Sequence, residues 1–191
     1  LIAEHRASAQ HIVWYIPKPT ASQNNPSLDK QFRGPVEVAL MRSSWDSHDA
    51  LFVGFKAGYN QANHAHLDLG NFELDALGVR WVRDLGSDQY NLPNYWDKGK
   101  GGARWEYWRL GAHSHNVITI AGVNQDEMAT STMVRFSSTQ EEAVAVVDLT
   151  EAYAGSATKV VRGIKLINNR RAVLVQDEII VHSDTSITWG I

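Results

Sequence analysis

From residue 36 onward, apolar and polar side chains alternate in short runs, the two-residue period of strands that show opposite faces to core and water. Val36–Met41 and Leu51–Phe55 are the first two runs, joined by a polar turn over Ser43–Asp49. Phe72, Leu74 and Ala76 then alternate with Glu73 and Asp75, Leu77-Gly78 supplies a turn, and Val79–Asp84 returns, which predicts a hairpin. Further strands are predicted at His115–Ile120, Met133–Phe136, Ala143–Leu149 and Lys159–Ile167. Asn168-Asn169 turns the chain into Ala172–Ile180, and Ser183-Asp184 turns it again into Ile187–Trp189. Many strands, short turns and no sustained helical period predict an all-β fold, an antiparallel β-sandwich over residues 35–191. The sequence stops within the last strand, so the sandwich is expected to be truncated at its C-terminus.

Residues 1–34 have a different character. Glu4–Tyr15 could form a short helix packing through Ile12, Val13 and Ile16, and Pro17, Pro19 and Pro26 with the polar Ser22–Asn25 then predict an irregular connector. This reads as a linker, or the end of a preceding helical domain. A start at Leu1 rather than Met agrees with a piece of a larger protein. His5 and His11 are given no role.

At 191 residues the chain is long enough for one substantial core. Its net charge of -3 and pI near 6.2 give no sign of a general polyanion-binding surface, which disfavours nucleic acid, although an acidic sugar needs only a local basic site. The absence of cysteine excludes disulfides and thiolate metal sites. No apolar run reaches membrane-spanning length, and no signal peptide is visible.

The chemistry concentrates in Asn63-His64-Ala65-His66-Leu67-Asp68-Leu69-Gly70. If this segment runs extended, His64, His66 and Asp68 share one face. The hairpin would bring Asp84 near His66, and His115 stands at the mouth of a later strand. Two imidazoles and a carboxylate suit zinc and leave a coordination position open. A lone His-x-His is more often structural, so spacing by itself leaves both readings open. Asp68 is either a partner that fixes an imidazole tautomer or a turn-stabilising aspartate, and Asn116 either supports the site or caps a strand. Asp88–Arg104 is a long loop whose Lys98–Gly102 run lacks the Walker pattern, so nucleotide binding is rejected. Arg104–Arg109 interleaves aromatic and cationic residues. Trp105, Tyr107 and Arg109 are candidate substrate contacts, with an aromatic layer in the core as the equal alternative.

Three ordered motifs carry a family resemblance: Asn-His-x-His-x-Asp-x-Gly-x-Phe over 63–72, Gly-x-x-Trp-x-x-Asp-x-Gly-x-x-x-Tyr over 78–90, and Tyr-Trp-Arg with His-Asn over 107–116. Together they resemble the heparinase II/III-like polysaccharide lyases, a group that includes heparin/heparan and oligoalginate lyases, with looser similarity from Val36 to Trp189. The resemblance implies β-elimination on a uronate glycan and a periplasmic or extracellular setting. It implies His64 as the catalytic cleft histidine, and His66, Asp84 and His115 as ligands of a mainly structural zinc. In such lyases an α/α-barrel domain preceding the sandwich supplies the tyrosine acid/base. The present length cannot hold both domains, so the resemblance implies an upstream barrel in the parent chain and a fragment inactive alone, with Tyr90, Tyr95 and Tyr107 as local alternatives to the missing tyrosine. The competing function is a non-catalytic carbohydrate-binding sandwich with a structural metal, and a metal hydrolase is a distant third.

Overall fold

The computed structural model describes residues 26–191. The helix expected over Glu4–Tyr15, together with His5 and His11, lies outside the described residues. The strands are β1 (Lys30–Phe32), β2 (Val36–Arg42), β3 (Phe52–Tyr59), β4 (Phe72–Ala76), β5 (Val79–Val82), β6 (Ile118–Ile120), β7 (Thr130–Ser138), β8 (Ala143–Asp148), β9 (Ala157–Ile167), β10 (Ala172–Val181) and β11 (Ile187–Trp189). Every strand pair is antiparallel, and the fold is an all-β sandwich. Among the described residues no helix is long and apolar enough to cross a membrane.

One strand belongs to both layers. β3 pairs with β2 from Phe52 to Gly58, its first half pairs with β4 on the other edge, and its last two residues, Gly58 and Tyr59, pair with Ser131 and Thr130 of β7. The order β1-β2-β3-β7-β8-β9-β10 is therefore continuous, with the β4–β5 hairpin branching from β3. Alternation decides what faces inward. Ala39 and Met41 of β2 and Val53, Phe55 and Ala57 of β3 share one core with Ala143, Ala145 and Val147 of β8 and Val160, Ile164 and Leu166 of β9. The separate β6–β11 pair adds Ile118 and Ile120 to that core.

The hairpin at Leu77-Gly78 and the last strand stand where the sequence placed them, and three segments differ. Lys30–Phe32, inside the stretch expected to be an irregular connector, pairs with Val38–Leu40 as the edge strand β1. Just before it, buried Asp29 receives two hydrogen bonds from the Arg170 guanidinium, at 2.9 and 2.6 Å. β3 runs on through the expected loop start at Gly58, because Val36–Val38 and β7 offer it ladder partners there. The strand expected from His115 begins only at Ile118. His115 instead caps a 3-10 turn over Ala112–Ser114, and Asn116 spends its side chain on distant carbonyls.

Candidate metal centre

The histidine segment is not extended. Asn60–Gly70 leaves β3 through successive turns, and His64 adopts the left-handed conformation, with φ of 58°. Half of the expected alternation survives, since Ala65, Leu67 and Leu69 are buried. Asp68 is buried too, and its carboxylate forms an ion pair with Lys56 of β3 rather than meeting an imidazole.

A segment without a ladder must satisfy its backbone groups elsewhere, and this one does so with side chains from the rest of the sandwich. Arg104, fully buried, donates from Nη2 (2.8 Å) and Nε (3.3 Å) to the Ala65 carbonyl and from Nη1 (2.9 Å) to that of Tyr95. The Leu67 N–H donates to Leu110 O at 2.9 Å. Gln125 holds Leu69 from both sides, accepting from its N–H at 3.0 Å and donating to its carbonyl at 2.8 Å. Arg162, also fully buried, donates from Nη1 to Gly70 O (3.0 Å) and Asn116 O (2.7 Å), while Asp177 neutralises its other edge at 2.7 and 2.9 Å. Gly70 itself has φ of +84°, and a Cβ there would lie 2.6 Å from Leu149 Cδ1. Glycine is favoured on both counts.

These anchors bring His66, Asp84 and His115 together, one ligand atom from each lying within 4.8 Å of the others. The β4–β5 hairpin delivers Asp84 beside the histidine loop, as pairing and turn position predicted. Asp84 Oδ2 lies 2.7 Å from His115 Nδ1 and also accepts from Asn71 Nδ2 at 2.7 Å, while Oδ1 accepts from the Gly86 N–H at 2.7 Å. The His66 and His115 rings are 5.2 Å apart. Asn116 supports the site from behind, its amide donating to Phe72 O and Arg83 O at 3.0 and 3.1 Å.

Electrostatics separate the three groups. Burial lowers the His66 pKa from 6.5 to about 4, with Asp68 opposing the shift and His115 reinforcing it, so the ring is neutral near pH 7. Burial alone would raise the Asp84 pKa, but hydrogen bonds from His115, Gly86 and Asn71 outweigh it and hold the carboxyl below its ordinary range. His115 Nε2 is buried with no hydrogen-bond partner. A neutral imidazole, an ionised carboxylate and a second imidazole with an unsatisfied buried nitrogen fit a divalent cation of borderline softness.

His64 stands apart from this trio. It is exposed, stacked on Tyr90 at 5.6 Å and meeting the edge of Trp96 at 5.3 Å. Of the three local tyrosines, Tyr95 is 1% exposed and Tyr107 donates its hydroxyl to Pro93 O at 2.6 Å, whereas Tyr90 is 52% exposed. Of the two readings the sequence left open for Trp105, substrate contact or core layer, its burial supports the core. It is 4% exposed, packs with Leu67, Ala112 and Val117, and donates its indole N–H to Gly99 O at 3.1 Å. Arg109 is exposed and braces the loop after Asp84 through Leu85 O and Ser87 O. The long loop is pinned as well: Lys98 caps the Gln61 and Ala62 carbonyls at 3.3 Å, and its own carbonyl accepts from Gln61 Nε2 at 2.7 Å. Sequence reasoning missed Arg104, Gln125 and Arg162. For Arg162 a signal existed, because it falls in the same alternating register as Val160 and Ile164.

Three comparisons bear on this site. The family described as heparinase II/III-like, C-terminal, matches residues 39–191. A heparan sulfate lyase from Pedobacter heparinus superposes with a TM-score of 0.70 at 20% identity over 88% of this chain and 24% of the lyase. A heparinase III gene product gives a TM-score of 0.66 at 23% identity over 84% of this chain and 23% of its own. The chain thus spans about a quarter of the length of these enzymes. No curated protein matches by sequence.

Proposed function

The chain belongs to the heparinase II/III-like C-terminal family, and from that premise we propose that it is the metal-binding sandwich of a polysaccharide lyase that cleaves uronate glycans by β-elimination. The observation that carries this reading is the arrangement of an exposed His64 two residues from His66, which converges with Asp84 and His115. The parent would be a larger chain with an upstream α/α-barrel, acting on an acidic glycan in the periplasm or outside the cell, and this sandwich alone would be inactive.

His66, Asp84 and His115 would hold a zinc ion, whose positive charge would fix the histidine loop and the hairpin end in one geometry. β-Elimination requires removal of the weakly acidic C5 proton, stabilisation of the charge that develops on the uronate carboxylate, and protonation of the departing C4 oxygen. His64 would serve the second or third task. Its imidazole reaches solvent and packs against Tyr90 and Trp96, while the carbonyl of the next residue is clamped by Arg104, which supports a defined ring position when substrate arrives. Arg109 and the half-buried Tyr107 remain candidate contacts to the anionic sugar.

Elemental analysis of the chain and of His66→Ala, after dialysis without chelator, tests the metal. About one zinc per chain, lost in the variant, supports the assignment. Its absence from folded wild type sinks it, and the histidine cluster then becomes a direct substrate contact. In the intact parent, His64→Ala should abolish formation of unsaturated uronate, and unchanged turnover would remove His64 from the mechanism. Glycan retention without turnover in the parent would instead establish the non-catalytic binding module.

A further inference from the structure

We propose that Trp96 is the sugar-stacking residue of this site, receiving the apolar face of a pyranose ring next to the residue that His64 handles. The inference rests on the reading of the site as a glycan cleft and assigns the stacking surface within it.

Three features single out Trp96. It is 48% exposed, yet it is held by a buried framework rather than projecting freely. Tyr95, 1% exposed, meets it edge-on at 5.0 Å, and the Arg104 guanidinium lies over its ring at 5.6 Å. Arg104 also clamps the carbonyls of Ala65 and Tyr95, the residues that follow His64 and precede Trp96. The Trp96 and His64 rings, 5.3 Å apart, thus stand on backbone held by one buried side chain.

The second feature is chemical. Trp45, Trp81, Trp105 and Trp189 each donate their indole N–H to a protein oxygen. Among the described residues the Trp96 indole N–H has no partner, which leaves a donor on a half-exposed aromatic ring. That pairing suits a sugar, which presents an apolar patch of C–H groups ringed by hydroxyl acceptors. The third feature is location. Trp96, Tyr90 and His64 form a continuous exposed wall with ring separations of 5.2 to 5.6 Å. Trp108, also exposed and without an indole partner, has His113 as its ring neighbour at 6.4 Å.

The test uses the 191-residue chain and nitrogen-labelled tryptophan, following indole N–H signals by NMR. The Trp96 signal is identified by its loss in Trp96→Phe. The probes are two uronate tetrasaccharides, one sulfated and one not, and an uncharged glucose tetrasaccharide. A saturable shift of the Trp96 signal is expected with at least one uronate probe, while Trp45 and Trp81 stay in place. Trp96→Ala should weaken that binding about tenfold and Trp96→Phe less, the loss typical of removing an aromatic anchor. Circular dichroism of both variants is compared with wild type before binding is measured, so that a loss of fold is not read as a loss of stacking. Shifts confined to Trp108, undiminished binding by Trp96→Ala, or no shift with any probe would each overturn the proposal. Equal binding of the uncharged probe would retain Trp96 as the stacking residue and count against uronate selectivity. A parent chain that forms no unsaturated product while Trp96 still binds would overturn the lyase reading alone.

Discussion

His115 Nδ1 and Asp84 Oδ2 are 2.7 Å apart although thirty-one positions separate them in the chain. The carboxylate lies two residues beyond hairpin strand β5 and the imidazole caps a 3-10 turn, so two segments with no shared ladder meet in one charge-assisted contact. Asp84→Asn keeps the shape and the Gly86 turn but removes the charge. Metal affinity, measured by competition with a chromophoric chelator, should fall at least about 100-fold, the upper range for losing even an outer partner of a metal site. Circular dichroism should remain that of the wild-type sandwich.

Arg162→Met replaces a buried guanidinium with an apolar chain of similar length and strands several partners. Asp177 loses its cation in a largely buried site and keeps the Trp189 indole as a donor, and the carbonyls of Gly70 and Asn116 lose their donor. Breaking a buried pair from one side costs about 3–5 kcal/mol, so urea denaturation should show a loss of that size. The double variant Arg162→Met with Asp177→Leu should recover part of it.

Gly70→Ala imposes both a left-handed backbone and a clash with Leu149. The expected destabilisation is about 1–3 kcal/mol in urea denaturation. Gly86→Ala serves as the control. That residue also has positive φ, but nothing lies within 4 Å of its added Cβ, so the smaller loss there isolates the steric part.

Stability of the chelator-treated protein should depend on acid through His66. Its pKa is about 4 when folded, against an ordinary 6.5, so between those values the unfolded chain binds more protons than the folded one. Thermal stability should therefore fall as pH drops from about 6.5 to 4. Asp84, whose folded pKa is depressed, adds its own loss only below its ordinary 3.8. His66→Gln, which cannot titrate, should flatten the upper window and leave the lower one. An unchanged slope in that variant would place the acid sensitivity elsewhere.

Local pattern made the sandwich and the meeting of His66 with Asp84 legible, because alternation and turn residues encode strands and register directly. β8, β9 and β10 follow from Ala143–Leu149, Lys159–Ile167 and Ala172–Ile180 almost to the residue. The shape of the histidine loop was not legible. Its partners, Arg104, Gln125 and Arg162, lie far along the chain, and a backbone held by distant side chains leaves no periodic trace. Buried arginines also read as surface cations until their acceptors are known. Trp105 shows the reverse case. Its neighbours left a sugar contact and a core position equally open, and only its packing against Leu67 and Val117 favours the core.

The sharing of β3 between the two layers has a consequence for how the chain reaches this state. Its junction with β7 joins Gly58 to Ser131, so neither layer can close its edge until a segment more than seventy residues long has been gathered in. Loop closure of that span precedes the contacts that reward it, which favours slow, concerted formation over layer-by-layer assembly. The β3 amides should accordingly be among the last to exchange with solvent, opening only with the whole sandwich.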